Sequence, residues 1–341
     1  MTTLIVDSLT RPPKGRLAAA RSTMQGHESS QSTIPRLSVL IGKGGVGRST
    51  LAAALGLVAA GRGRKTLIIE VVPNPVIPGF FGVESKGYEP VECAPGLFAN
   101  RVTWEDALRE YGLMKLRFEA VYKLVFQNAL VRNLLAALPG IPDILVMGKV
   151  IYAAGEGVPG IGPVDCVILD APATGHGIAL VRAPSVVAET VPTGPLAEDA
   201  VHLSRTLADP AFSRFHIVTV PEEMPIAESV EAYRALGTGM SLPFGPILLN
   251  QVSAPGLVGR EVEALSSLMG SRPSAGVCAT AGAALFMSAR AEMQRAHVHR
   301  LRRSVPLPVV QLPDVHGQRS IRDRLDIIAQ HLDAALWREA R

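Results

Sequence analysis

The chain has 341 residues, 48% of them hydrophobic and 19% charged, with a formal net charge of +4 and a pI near 9.1. That length fits one large domain or two smaller ones, and a mean hydropathy of +0.25 implies a sizeable core plus apolar surface kept for a partner. No run reaches the roughly 18 uninterrupted apolar residues of a membrane span, Met1–Thr10 lacks the apolar region of a secretory signal, and three scattered cysteines, Cys93, Cys166 and Cys278, write neither a disulfide framework nor a C-x-x-C metal site. The expected location is the cytoplasm, and so mild a basic excess gives no reason to expect nucleic acid.

Residues 1–35 mix Ser, Thr, Gln, Arg and Pro without a hydrophobic period, and Arg11, Lys14, Arg16 and Arg21 make this stretch a flexible basic tail. Regular structure is expected from residue 36 to about 338, as a single domain. It begins with an apolar strand, Leu37 to Ile41, and a helical pattern, Leu51 to Ala60. Between them stands Gly42-Lys43-Gly44-Gly45-Val46-Gly47-Arg48-Ser49-Thr50. Strand, glycine loop and helix together form the context of a phosphate-binding loop. Glycines let successive N–H groups turn inward, and the helix N-terminus adds partial positive charge. Ser49 stands where a hydroxyl would ligate Mg²⁺ bridging the β- and γ-phosphates of a nucleotide. Where the motif expects lysine before the serine, this chain has Arg48, a planar cation that does not substitute for an ammonium point charge. A second cation, Lys43, opens the loop.

Thr66 to Val72 reads as a second buried strand, ended by Pro73-Asn74-Pro75, and Leu97 to Thr103 as a third. A helical, unusually apolar stretch follows, an insertion of about 104–160 in which Leu113, Met114, Leu116, Phe118, Val121, Tyr122, Leu124, Val125 and Phe126 leave little polar face. Core packing is the default reading of it and an apolar partner the alternative. Strands resume at Asp165–Asp170, His216–Val220, Pro246–Asn250 and Leu307–Leu312. An amphipathic helix with Ile321, Leu325, Ile328, Leu332 and Leu336 on one face ends the pattern. Short buried strands alternating with helices specify an α/β fold, a doubly wound and mostly parallel sheet with helices on both faces.

Asp170 ends a hydrophobic strand and is followed by Ala171-Pro172-Ala173-Thr174-Gly175-His176-Gly177. A carboxylate there can hold the water shell of Mg²⁺, and a glycine-containing turn after it is free to move with the γ-phosphate.

The early lysine in K-G-G-V-G resembles the deviant P-loop of dimeric ATPases, in which it reaches the nucleotide of the opposite subunit. With D-A-P-A-T-G-H-G, the chain resembles the arsenical-pump-driving ATPases, the family that includes the eukaryotic ATPase targeting tail-anchored membrane proteins. The resemblance runs from residue 37 to about 335, and bacterial members often encoded as pairs, some with arginine at the Arg48 position, look nearest. It implies ATP and Mg²⁺, a homodimer or a heterodimer with a related ATPase, and a protein cargo. It also implies base contacts from Asn250, with Gln251 beside it, and from Pro313 in Leu312-Pro313-Asp314, and makes Lys43, Arg48 and Asp170 the catalytic candidates. The family's first switch is D-P-A-H, whose aspartate orients the attacking water. Aligned on Pro73, this chain has Val72 in that place, and Glu70 two residues earlier lies on the same strand face at another depth. The family's metal cysteines have no counterpart here.

Three readings remain open on sequence alone: a dimeric ATP switch that hydrolyses slowly, a nucleotide-binding subunit that leaves hydrolysis to an active relative, and a partition or septum-placement type of ATPase acting on DNA or membrane. The last would use the basic C-terminal helix (Arg319, Arg322, Arg324, Arg338, Arg341) for peripheral membrane contact, against the plainer reading of a helix that covers the sheet.

Overall fold

A computed structural model describes residues 34–337, apart from 117–132, 134, 239, 255, 258, 272–273, 316 and 318–319. Nearly all of the basic tail, most of the apolar stretch between Leu116 and Phe126, and Arg319, Arg338 and Arg341 therefore lie outside the described residues.

Strand β1 (Leu37–Gly42) leads into helix α1 (Arg48–Gly61), and β2 (Thr66–Glu70) is followed by one short turn of helix, α2 (Ile77–Phe80). A hairpin, β3 (Val91–Ala94) and β4 (Leu97–Arg101), precedes α3 (Trp104–Leu116) and α4 (Ile141–Glu156). Then come β5 (Cys166–Asp170), α5 (Thr174–Thr190), α6 (Pro195–Ala208), β6 (Ser213–Thr219), α7 (Glu223–Gly237) and β7 (Ile247–Val252). Helices α8 (Gly259–Gly270) and α9 (Ala275–Ser304) precede β8 (Val309–Pro313) and α10 (Ile321–Leu336).

The eight strands form one sheet in the order β3-β4-β2-β5-β1-β6-β7-β8, parallel except for the β3–β4 pair. β1 sits inside it, paired with β5 on one side and β6 on the other. Strands buried on both faces must be apolar throughout, and the alternation of two shows which layer each residue meets. Leu37, Val39 and Ile41 join Leu67, Ile69, Val167 and Leu169 under α3, α4, α5 and α7. Leu40, Ile68, Ile168, Val218, Leu248 and Leu312 face the other way, under α1 and α10. Leu325, Ile328 and Leu332 are the buried residues of α10, so this helix covers the sheet beside α1. Its start is capped by Ser320, whose hydroxyl accepts from the Asp323 N–H at 3.1 Å.

Several segments differ from the sequence reading. β3 was not anticipated, and the third and last strands are shorter or shifted, at 97–101 and 309–313. Thr174-Gly175-His176-Gly177 is no loose turn: it is the first turn of α5, packed so closely that a Cβ on Gly177 would lie 2.7 Å from the Pro172 carbonyl oxygen. Only residues 171–173 connect it to β5. Among the described residues no helix is long and apolar enough to cross a membrane.

Candidate functional site

The register of the central strands builds the site. Leu40 pairs with Asp170 and Asp170 pairs with Glu70, so the ends of β1, β5 and β2 meet along one edge. Gly42 closes β1 against β6 so tightly that a Cβ would strike the Val218 carbonyl oxygen. The chain then turns through residues 43–47, and Gly47 takes φ +88° and ψ 25° at the cap of α1. Only glycine enters that left-handed region at little cost. A side chain at Gly47 would also collide with the Asn250 amide.

Ser49, in the first turn of α1, donates its hydroxyl to Asp170 Oδ2 at 2.5 Å. Asp170 is fully buried, and burial pushes its carboxyl above the ordinary range, opposed by the Ser49 hydroxyl and the Arg48 guanidinium. A hydroxyl and a carboxylate side by side at the mouth of a glycine loop are the hard oxygen donors that Mg²⁺ accepts beside phosphates. The residues therefore fit a nucleotide with its metal ion.

Arg48 is turned to the end of β5 and to its own loop. Its Nε lies 3.3 Å from Asp170 Oδ1, and its Nη1 donates to the carbonyls of Gly42 and, at 3.2 Å, Lys43. Lys43 is held too: its Nζ is 2.5 Å from Glu228 Oε1 on α7. Both loop cations are thus engaged within the chain.

The first-switch region is fixed from two sides. The buried Glu70 carboxylate accepts N–H bonds from Val76 (2.8 Å) and Ile77 (3.2 Å), closing the start of α2. Arg101 on β4 donates to the Pro73 carbonyl at 3.2 Å. Glu70 therefore serves the loop that carries Val72, its carboxylate being taken up by the Val76 and Ile77 amides. Burial nevertheless pushes its carboxyl up to about 7, against the two N–H bonds and with help from the charge of Asp170.

Asn250 and Pro313 come together beside the loop. With Gly47, Thr50, Gln251 and Arg324 they line a small cavity between the ends of β7 and β8 and the first turns of α1 and α10. Asn250 donates Nδ2 to the Val46 carbonyl at 3.0 Å, a bond to the loop itself that the sequence did not foretell. Gln251 holds φ +58°, the one positive φ among the described non-glycine residues. Sequence reasoning missed Glu228 and the pocket role of Arg324. The first gives no local signal, lying 185 positions from Lys43. The second lies on the helix that the sequence marks as a sheet cover or a membrane contact, a reading that gives Arg324 no place at a cavity. The three cysteines lie apart on β3, β5 and α9, and no cluster that could hold a metal ion through His, Cys, Asp and Glu occurs among the described residues.

Residues 36–193 match the model of the anion-transporting ATPase family. The ATPase BagA of Mycobacterium tuberculosis is 29% identical over 222 residues, 63% of this chain and 65% of its own length. A protein of Halobacterium salinarum named as an arsenical pump-driving ATPase is 29% identical over 212 residues, 57% of this chain and 31% of that one. A similarly named protein of Aquifex aeolicus is 27% identical over 161 residues, 45% of this chain and 39% of its own. The chain thus spans just under two thirds of the first of these relatives and less of the others.

Proposed function

With residues 36–193 belonging to the anion-transporting ATPase family, we propose that this protein is an ATP-binding P-loop switch. In this reading it works with Mg²⁺ as a dimer, of two copies or with a related ATPase, acts on a protein cargo and hydrolyses ATP slowly. The observation that carries the reading is the Ser49–Asp170 contact of 2.5 Å beside the left-handed Gly47. The loop from Gly42 to Thr50 would hold the phosphates by its N–H groups, and Ser49 and Asp170 would hold the metal ion. Asn250 and Pro313 would border the base. Mg²⁺, when bound, neutralises charge between the β- and γ-phosphates.

Phosphoryl transfer depends mainly on positioning and electrostatics, so a correct cradle supports some turnover without a dedicated base. Val72 offers the attacking water no carboxylate, and Glu70 is engaged with the Val76 and Ile77 amides. A slow reaction follows. A second reading, a nucleotide-holding subunit that relies on an active relative for hydrolysis, draws on Arg48, whose guanidinium is turned to Asp170 and to its own loop.

Calorimetric titration with MgATP, followed by phosphate release at saturation, tests both. Binding with slow release supports the first reading. Binding with no release by the protein alone, and release after a related ATPase is added, selects the second. No binding to ATP or ADP removes both.

A further inference from the structure

Helix α9 runs for 30 residues and turns only Ala281, Ser288, Ala291, Gln294, Val298 and Leu301 inward. Its second half lies on β6 and β7, where Val298 and Leu301 meet Ile217, Ile247 and Leu249. The outer side combines apolar and cationic residues in a way that water alone does not call for. Phe286 is 70% exposed and Met293 63%, and with Met224 on α7 they are the most exposed large hydrophobics among the described residues. Seven positions are close to two helical turns, so Phe286, Met293 and Arg300 stand in one row, flanked by Arg290 and Arg303.

Between Ala289 and Ser304 the helix carries five arginines against one acid, Glu292, a net +4 that equals the formal charge of the entire chain. Two plainer accounts of this charge fall short. Arg302 and Arg303 complement the carbonyl end of the helix, but Arg290 and Arg295 stand two or more turns earlier. Nor do ion pairs absorb the row. Arg290 lies 3.8 Å from Asp314 Oδ2 and Arg300 lies 3.9 Å from Glu223 Oε1, with both arginines well exposed. Pairs so long and wet are worth little and exchange readily for another anion.

We propose that this face of α9 docks on a membrane leaflet rich in acidic phospholipid. The helix lies in the headgroup layer, its arginines on lipid phosphates and carboxylates, while Phe286 and Met293 pass to the acyl boundary. Arginine suits this place because its apolar stem lies along the lipid while its guanidinium stays with the headgroups. Charge decides the occupant. A second copy presenting the same face would meet a like charge, since a two-fold contact sets each patch on itself. A duplex nucleic acid would answer the arginines and leave Phe286 and Met293 in water. An acidic leaflet answers both, and a plane meets one row of a helix along its length. Helix α10 is not available for this contact, because Leu325, Ile328 and Leu332 are spent on the sheet. The inference stands apart from the nucleotide reading.

The test is co-sedimentation of the full chain, without nucleotide, with vesicles of phosphatidylcholine alone or mixed with phosphatidylserine. Wild type should bind the mixed vesicles and not the neutral ones, and added salt should weaken the binding. Arg290→Gln, Arg300→Gln and Arg303→Gln together should weaken it about a hundredfold, at roughly fivefold for each arginine near an acidic surface. Lysine at the same three positions should restore most of it. Phe286→Ser with Met293→Ser should cost about tenfold, since two side chains no longer leave water. Arg322→Gln, on α10, should change nothing. All six residues are exposed, and thermal unfolding of each variant verifies that the fold is kept. A wild type that ignores the mixed vesicles overturns the proposal. So does binding that either set of α9 changes leaves intact, which would put the contact elsewhere on the chain. Equal binding to a duplex DNA oligonucleotide, with the same losses, also overturns it and makes the face a nucleic-acid surface.

Discussion

Lys43 Nζ lies 2.5 Å from Glu228 Oε1, so the lysine that opens the glycine loop is neutralised by a helix of its own chain. Both side chains are about one third exposed (35% and 30%), which keeps the pair weak and easily exchanged. A lysine that crosses to a partner's nucleotide has to leave Glu228 first. Glu228→Gln should therefore strengthen ATP-dependent self-association about two- to fivefold, the worth of one surface ion pair. Lys43→Ala should abolish that association. Light scattering with a non-hydrolysable ATP analogue reads both, and an association indifferent to both changes would leave the pair a surface contact of no consequence.

Gly47→Val should eliminate nucleotide binding for two reasons visible in the backbone. A valine at φ +88° is strained, and its Cβ would drive into the Asn250 amide that also holds Val46. Arg48→Ala should weaken ATP binding by about 1.5–3 kcal/mol, because it leaves the buried Asp170 with Ser49 alone. Calorimetry on both proteins decides; wild-type affinity in either one contradicts the corresponding role.

On the proposed reading Val72→Asp should raise kcat with little change in ATP affinity, since it puts a carboxylate where the resembling family carries its water-orienting aspartate. Such groups are worth on the order of 10²–10⁴ in rate when within reach of the nucleophile. Glu70→Gln should leave kcat unchanged, its side chain being engaged in closing α2. Phosphate release at saturating MgATP reads the three proteins together. A rate that collapses in Glu70→Gln would make Glu70 the base instead.

Two buried groups give the stability opposite pH slopes. Burial pushes Glu70 from its ordinary 4.5 up to about 7, so its contribution is full below pH 4.5 and lost as pH rises through 7. Burial pushes His216 from 6.5 down to about 4, against the bond from its Nδ1–H to the Pro246 carbonyl. The His216 contribution is present above pH 6.5 and lost as pH falls through 4. Glu70→Gln removes one slope and leaves the other. The stability of wild type relative to Glu70→Gln should fall by up to roughly 3 kcal/mol between pH 4.5 and 7. Urea unfolding of both proteins at several pH values measures it, and a constant difference would mean that Glu70 titrates normally.

The strands and the loop were legible because their signals are local. β1, β2 and β5 are buried along their whole length and so are almost wholly apolar, and the loop's glycines stand between an apolar run and a helical one. β3 was hidden because Val91-Glu92-Cys93-Ala94 is an edge strand with one buried residue. α8 buries nothing, and α9 turns Ala281, Ser288, Ala291 and Gln294 inward, so neither shows an apolar stripe. In the site, Ser49 and Asp170 were found from motif spacing. The partners that redirect Lys43 and Arg48, and the position of Arg324 at the cavity, depend on which elements are brought side by side, which no local pattern records.

The central place of β1 also orders events during synthesis. Leu37 pairs with Val167 on one side and with Ser213 on the other, and the cavity beside Gly47 gains its outer wall only when α10, from Ile321, packs on α1. At roughly 5–20 residues per second, the glycine loop leaves the ribosome many seconds before either flanking strand exists. Throughout that interval a strand buried along its whole length has no neighbours, and the glycine loop has no rigid seat. The time for which the nascent strand stays exposed is thus set by strand order, and a ribosome stalled before α10 would hold a sheet whose cavity beside Gly47 lacks its outer wall.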